Sequence, residues 1–168
     1  MDINDVVWSF LIVFMLHNFE EILTIEKWFK NTFPTIRNQI PTLVKKELEK
    51  EEKITSGQFS IAVCVLFIIS SVLILLTVIQ GYYFLFIGLN IFFALNIFTH
   101  PIQSIFLKKY VPGLWSTILL IIPYNVLVFY QLYIHSLLQA KTIISAFFIT
   151  ILLIPALLFS HKIAKKWG

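Results

Sequence analysis

The sequence predicts an all-α integral membrane protein, a single domain of residues 1–168 that forms a bundle of five transmembrane helices. Hydrophobic residues make up 58% of the chain and charged residues only 13%, a balance typical of membrane proteins rather than soluble domains. The apolar residues form five runs, each long enough to cross about 30 Å of hydrocarbon at roughly 1.5 Å per residue. The basic residues lie between these runs, so the net charge of +4 indicates membrane-flanking segments and excludes a nucleic-acid-binding surface.

The predicted helices differ mainly in the connections that join them. They cover residues 6–27, 58–80, 82–107, 112–138 and 143–163. The second and fourth connections are very short, which forces the helices on either side to run antiparallel. The first connection, residues 28–57, is long and charged, and the mixed-charge pattern at residues 42–50 predicts an amphipathic helix at the membrane surface or in solvent.

The same connection begins with aromatic residues. Trp28, Phe29 and Phe33 follow the first apolar run directly, where aromatic side chains often lie at the level of the lipid headgroups. We therefore predict that these three residues are interfacial anchors.

The distribution of basic residues predicts the orientation of the chain. Five crossings place the first connection, the third connection and the C-terminal tail on one side of the membrane, and these segments carry twelve of the thirteen basic residues. Only Lys141 falls on the other side. Because basic segments stay in the cytoplasm, the N-terminus is predicted outside, and the C-terminus and residues 28–57 are predicted to be cytoplasmic.

The first predicted helix carries an unusual polar segment, His17-Asn18-Phe19-Glu20-Glu21. Within the apolar stretch from residue 6 to residue 25, Glu20 and Glu21 are the only carboxylates, and no Lys or Arg lies there to neutralise them. Ionisable side chains at this depth are costly and usually functional. A proton, a histidine or a metal ion is needed to compensate the charge.

Polar residues of the third predicted helix lie at the same depth. His17, Glu20 and Glu21 fall within an arc of about 100° on one helix face, roughly 9 to 15 Å below the cytoplasmic surface. His100 lies roughly 12 Å below that surface, and Asn96 and Gln103 share its stripe. We therefore expect the polar residues of the two helices to converge in the cytoplasmic half of the bilayer.

Histidine nitrogens and carboxylate oxygens together are the donors that zinc, iron and manganese use in proteins. The predicted metal ligands are His17, Glu20, Glu21 and His100. Zinc is the first choice, with iron and manganese as alternatives. Glu20 and Glu21 are also the predicted catalytic residues, since either carboxylate could act as the general base that takes a proton from metal-bound water.

Four further polar residues are assigned to the surroundings of this site. Asn96 and Gln103 are predicted to orient the ligands. The fourth helix carries a polar stripe that favours the bundle interior, and in it Tyr124 and Asn125 are predicted to line a pocket above the site.

These residues support more than one function. The first interpretation is a membrane-embedded metal-dependent enzyme, a hydrolase or lipid-modifying enzyme that acts on a membrane lipid or an amphipathic small molecule. The second is a proton- or cation-coupled transporter or channel, in which a homodimer would supply the repeated halves that the short chain lacks. The third is a non-catalytic interaction protein, of the immunity or accessory type, in which the polar residues only hold helices together.

Two segments resemble a known family. His17-Asn18-Phe19-Glu20-Glu21, followed by His100, Gln103 and the segment Tyr110-Val111-Pro112-Gly113, is similar to the two typical blocks of the HXXEE family of small bacterial membrane proteins. This resemblance implies an integral membrane protein of the bacterial cytoplasmic membrane. It points to no particular reaction.

Overall fold

The computed structural model describes residues 2–167, apart from the side chain of Leu43. This part of the chain is 85% helical and contains no strand, which confirms the predicted all-α class. Its helices, in chain order, are α1 (Ile3–Asn31), α2 (Phe33–Ile36), α3 (Thr42–Glu51), α4 (Ser56–Gln80), α5 (Tyr83–Ala94), α6 (Asn96–Leu107), α7 (Leu114–Ser116), a π-helical stretch (Thr117–Ile121), α8 (Ile122–Ile134) and α9 (Ala140–Trp167).

Five helical units of the described chain are long and apolar enough to cross a membrane, in agreement with the predicted count. They are α1, α4, α5 with α6 (Tyr83–Leu107), α7 through α8 (Leu114–Ile134) and α9. Large apolar side chains cover the outside of these units, as on α9, where Phe148 and Leu152 are exposed. A contiguous exposed apolar surface of this kind is suited to lipid rather than to water.

The first and last helices extend beyond their predicted bounds. Asp2 caps α1: its side chain accepts a hydrogen bond from the Asn4 amide at 3.1 Å, and its own amide donates to Asp5 at 3.2 Å. This capping box satisfies amides that the first turn would otherwise leave unpaired, so α1 begins at Ile3 instead of residue 6.

Prolines coincide with the two irregular regions of the bundle. Pro101 lies inside α6, and the break between α5 and α6 at Leu95 precedes it. Pro123 lies at the start of α8, directly after the π-helical stretch. A proline lacks the amide hydrogen and crowds the preceding turn, so a distortion on its N-terminal side is expected.

The core of the bundle is formed around α1. Val6, Val7 and Phe10 are fully buried and pack against residues of α4, α5 and α8. On the far side, α9 packs against α4 and α5. A methyl group at Gly88 would lie 2.5 Å from the carbonyl oxygen of Ala146, so the close approach of α5 and α9 requires a glycine at this position.

The charged connection after α1 folds back onto the end of the bundle. Trp28, Phe29 and Phe33 are buried there in a second apolar cluster that also includes Ile36 and Val111. The prediction that these three aromatic residues are interfacial anchors did not foresee this burial within the chain. α2 and the segment before α7 cover them, because burial against a neighbouring apolar surface is available to them within the chain.

The predicted amphipathic helix at residues 42–50 corresponds to α3. Arg37 donates to Glu49 at 2.7 Å, and Lys165 on α9 pairs with Glu51 at 2.5 Å. Together with Leu48, which packs against the second apolar cluster, these ion pairs position α3 across the end of the bundle near α6.

Candidate metal centre

Three of the predicted ligands meet between α1 and α6. His17 and Glu21 lie one turn apart on α1, and His100 projects from α6. His17 is 1% exposed, Glu21 16% and His100 12%. One Glu21 oxygen lies 3.8 Å from Nε2 of His17, and the other lies 3.4 Å from Nε2 of His100. One donor atom from each of the three residues lies within 4.8 Å of the other two.

These separations suit a shared ion. Two donors bound to one zinc ion at about 2.1 Å and at a tetrahedral angle lie roughly 3.4 Å apart. The two carboxylate-to-imidazole distances are close to this value. Small side-chain rotations would bring His17, Glu21 and His100 into the coordination sphere of a single ion.

The imidazole nitrogens that face this point have no hydrogen-bond partner among the described residues. Among the described residues, Nε2 of His17 and both nitrogens of His100 are buried without a hydrogen bond. Buried polar atoms are almost always satisfied, so unpaired nitrogens indicate a place for a ligand. A divalent cation fits a donor set of two imidazoles and one carboxylate.

The hydrogen bond of the other His17 nitrogen, Nδ1, indicates which ring nitrogen carries the proton. Nδ1 of His17 lies 2.9 Å from Oγ of Ser116, and the Ser116 hydroxyl donates to the Glu20 carboxylate. Since a hydroxyl has one proton to donate, the Ser116 oxygen accepts from Nδ1–H of His17. The hydrogen-bond pattern therefore assigns the lone pair to Nε2, which points toward Glu21. Metal-ligating histidines are commonly oriented in this way.

Glu20 does not join the three residues that meet. Its carboxylate accepts from the Tyr110 hydroxyl at 2.6 Å, from the amides of Trp115 at 3.2 Å and Ser116 at 2.6 Å, and from the Ser116 hydroxyl. Glu20 therefore does not lie where a ligand or general base of the predicted metal ion was expected. The cause is the start of α7, where unpaired amides and the helix dipole attract a carboxylate.

Tyr110 remains a hydrogen-bond donor in this arrangement. Burial, together with the hydrogen bond to Glu20, raises the pKa of the Tyr110 hydroxyl to about 12. The backbone oxygen of Tyr110 accepts from the indole of Trp28 at 2.6 Å. Tyr110 therefore forms two hydrogen bonds to α1, one through its side chain and one through its backbone.

The segment of residues 110–113 covers the two histidine rings. Gly113 has a φ of +84°, and a methyl group there would lie 2.9 Å from Cε1 of His17 and 3.0 Å from Nε2 of His100. Only glycine combines this backbone conformation with such close contact to both rings. Gly113 thereby allows the start of α7 to lie close to both imidazoles.

The remaining predicted site residues are divided between two locations. Gln103 lines a cavity of about 370 Å³ together with Glu21 and His100. Asn96 is partly buried one turn before His100, and its side chain makes no hydrogen bond to the three converging residues. Gln103 is thus beside the site. Asn96 forms no hydrogen bond with His17, Glu21 or His100.

Tyr124 and Asn125 lie elsewhere in the bundle. The Tyr124 hydroxyl donates to the backbone oxygen of Val6 at 2.9 Å, and Asn125 accepts from Asn90 at 2.9 Å. Val6 precedes His17 by three turns, roughly 16 Å along α1. Tyr124 and Asn125 are therefore not among the residues that converge at the site, and their polar groups are satisfied by other helices instead.

Ser116 also belongs to this arrangement, although the sequence pattern did not indicate it. It connects Glu20 to His17, although it is 96 residues from the first and 99 from the second. The available signal was its place in the first turn after Gly113, where short polar side chains are common. That signal is too general to have identified a contact with α1.

Comparison with known proteins agrees with the motif. The chain is 29% identical to the uncharacterized protein YrkK of Bacillus subtilis (strain 168), with 94% of each chain covered. No solved structure shows significant similarity to it. A family model described as a protein of unknown function with HXXEE motif matches residues 8–128, and the chain therefore belongs to the HXXEE family.

Proposed function

We propose that this protein is a membrane-embedded enzyme that depends on a divalent metal ion, and that it is a hydrolase or another lipid-modifying enzyme. Zinc is the preferred ion, with iron and manganese as alternatives. The main support for this proposal is the convergence of His17, Glu21 and His100, in which nitrogens of both histidines face Glu21 without a hydrogen bond. Three protein ligands and an open position are the typical arrangement of a catalytic zinc site.

The surroundings of the three residues support this proposal over a purely structural polar network. A network that only held α1 and α6 together would satisfy its own donors and acceptors, because each unpaired buried group destabilises the fold. Here the imidazole nitrogens facing Glu21 are unpaired, whereas Glu20 accepts four hydrogen bonds nearby. The pairing is thus complete around Glu20 and incomplete where an ion would bind.

Each residue then has a distinct role. His17, His100 and Glu21 hold the ion, which when bound would polarise a substrate oxygen and activate water. Glu20 acts as a positioning residue, because it orients His17 through Ser116. This assignment replaces the earlier hypothesis that Glu20 contacts the ion or its water.

The proposed location of the site is the cytoplasmic half of a bacterial cytoplasmic membrane, with the N-terminus outside. This orientation is supported by the basic residues, twelve of which then lie inside. A site at that depth favours a substrate that resides in the membrane, either a lipid or an amphipathic small molecule.

Metal content of the purified protein tests the proposal. We expect about one zinc ion per wild-type chain, and almost none in Glu21→Gln, which keeps the shape of the side chain but is a poorer ligand. Retention should also weaken as pH falls, because the donor atoms must be deprotonated to bind. The matched control is Glu26→Gln, the same change five residues later on α1, where Glu26 contacts Lys30 and Ser56 instead.

Two results would contradict the proposal. One is a wild-type protein that holds no stoichiometric metal and whose thermal stability does not change with a chelator. The other is a Glu21→Gln variant that is as metal-rich as Glu26→Gln. If Glu21→Gln is instead neutral or stabilising in a metal-free protein, the polar residues serve packing alone.

A further inference from the structure

The cavity beside the candidate metal centre extends from it toward α3. It has a volume of about 370 Å³. Glu21, His100 and Gln103 form its polar end. The rest of its lining is apolar and includes Trp28, Phe29, Val44, Ile102 and Phe106.

The two ends of the cavity require different chemistry from an occupant. A group that binds at the polar end must offer an oxygen or nitrogen to the ion or to Gln103. The remainder must be apolar, because the walls offer almost no hydrogen-bonding partner there. An amphiphile with one polar end satisfies both requirements.

One wall of the cavity is open to the outside of the bundle. Ile102 and Phe106 of α6 line the cavity, yet they are 60% and 58% exposed, and Val44 of α3 is 43% exposed. On the opposite wall, Trp28 and Phe29 are buried. The opening therefore lies between α6 and α3, on a face of α6 that is apolar enough to contact hydrocarbon.

We propose that the substrate is a single-chain amphiphile from the cytoplasmic leaflet that enters sideways between α6 and α3. Its polar oxygen group binds at the polar end of the cavity, at the ion that His17, Glu21 and His100 would hold, and its alkyl chain lies along the apolar walls. This inference rests on the proposed metal-dependent function. The volume is near the lower end of ligand pockets, which span roughly 300 to 1,000 Å³, and this favours one chain over the two chains of a phospholipid.

Two hydroxamates of different length probe this site without knowledge of the reaction. A hydroxamate binds a metal ion through two oxygens, and cobalt(II) in place of zinc reports such binding through its visible spectrum. Cobalt-loaded protein in lipid nanodiscs is titrated with octanohydroxamate and with acetohydroxamate. We expect the eight-carbon probe to saturate the spectral change at a total concentration at least about ten-fold lower, since each added methylene favours membrane entry by roughly four-fold.

A matched pair of variants separates entry through the cavity from simple partitioning into lipid. Ile102→Trp puts an indole into the opening, whereas Ile105→Trp makes the same change at a residue of α6 that is exposed and does not line the cavity. We expect Ile102→Trp to weaken octanohydroxamate binding about ten-fold, as overpacking of one side chain does, with acetohydroxamate unaffected. Ile105→Trp should behave like the wild type with both probes. Val44→Trp, at an exposed position on α3, should repeat the effect of Ile102→Trp.

The outcomes distinguish this inference from the function on which it rests. If the wild type gives no cobalt spectrum, the metal site itself is refuted and this inference with it. If cobalt binds but Ile102→Trp and Val44→Trp leave the affinity for octanohydroxamate unchanged, the metal site stands and the proposed substrate class is overturned.

Discussion

At the level of single residues, the HXXEE motif makes contacts in two directions. His17 and Glu21 face α6, while Glu20 turns toward the start of α7. Successive helical residues point about 100° apart, and here the two adjacent glutamates have different partners. In the proposed site, the motif would supply two ligands together with the carboxylate that orients one of them.

Ser116→Ala tests this link between Glu20 and His17. The change removes the oxygen that accepts from Nδ1 of His17 and leaves all three ligands in place. We expect zinc affinity to fall by about 10- to 100-fold, the usual effect of losing such a supporting hydrogen bond. Competition with a chelator measures the affinity.

The control for this change is Ser71→Ala on α4, because the Ser71 hydroxyl donates only to the backbone of its own helix. Its zinc affinity should equal that of the wild type. Equal affinities for Ser116→Ala and the wild type would show that the Ser116 contact has no part in metal binding.

At the scale of elements, the segment between α6 and α7 brings the two parts of the site together. Its residues contact α1 through Glu20 and Trp28, and Gly113 lies against both histidine rings. The position of α7 relative to α1 is thus coupled to the separation of the imidazoles.

Gly113→Ala should disturb the site through this segment. The added methyl would lie closer to both rings than ordinary van der Waals contact allows. In addition, the positive φ at this position strains any residue with a Cβ. We expect a loss of stability of about 1 to 3 kcal/mol and a clear loss of bound zinc, measured by thermal unfolding and by metal content.

Gly57→Ala is the matched control, because the nearest atom to its new methyl lies 3.8 Å away. This variant should retain its zinc and be as stable as the wild type or slightly more stable. If Gly113→Ala also retains its zinc and its stability, the segment does not control the geometry of the site.

At the scale of the whole molecule, the orientation in the membrane is the main expectation that follows from charge. The connection containing α3 carries many basic residues, and the short connection near Lys141 carries one. In a protein with Cys64 replaced, a cysteine introduced at Ala140 should react with an impermeant thiol reagent applied to intact cells. A cysteine at Lys46 should react only after the cells are opened. The reverse pattern would refute an outside N-terminus.

Helix number was predictable at this scale because run length and hydropathy are local properties. The exact residue at which a helix begins or ends is less predictable, as the extension of α1 to Ile3 by the Asp2 cap illustrates. The meeting of His17 with His100 was also accessible, since depth along a helix follows from counting residues from the charged boundary.

Other contacts between distant segments were not accessible from the sequence. Glu20 could be assigned only once α7 was known to start beside it, and Trp28 only once the charged connection was known to fold back over it. The sequence locates polar groups that need partners but does not indicate which of several neighbouring helices provides them, as Tyr124 and Asn125 illustrate.

The proposed site requires that two histidines and Glu21 bind one divalent ion. X-ray absorption spectroscopy of the zinc-loaded protein tests it most directly, because scattering from imidazole rings counts the histidine ligands. We predict two imidazoles and further oxygen donors at about 2.0 to 2.1 Å, and one imidazole in His100→Ala. The control His161→Ala, on α9, should keep both. A zinc environment without imidazole, or one unchanged by His17→Ala and His100→Ala, would contradict the account.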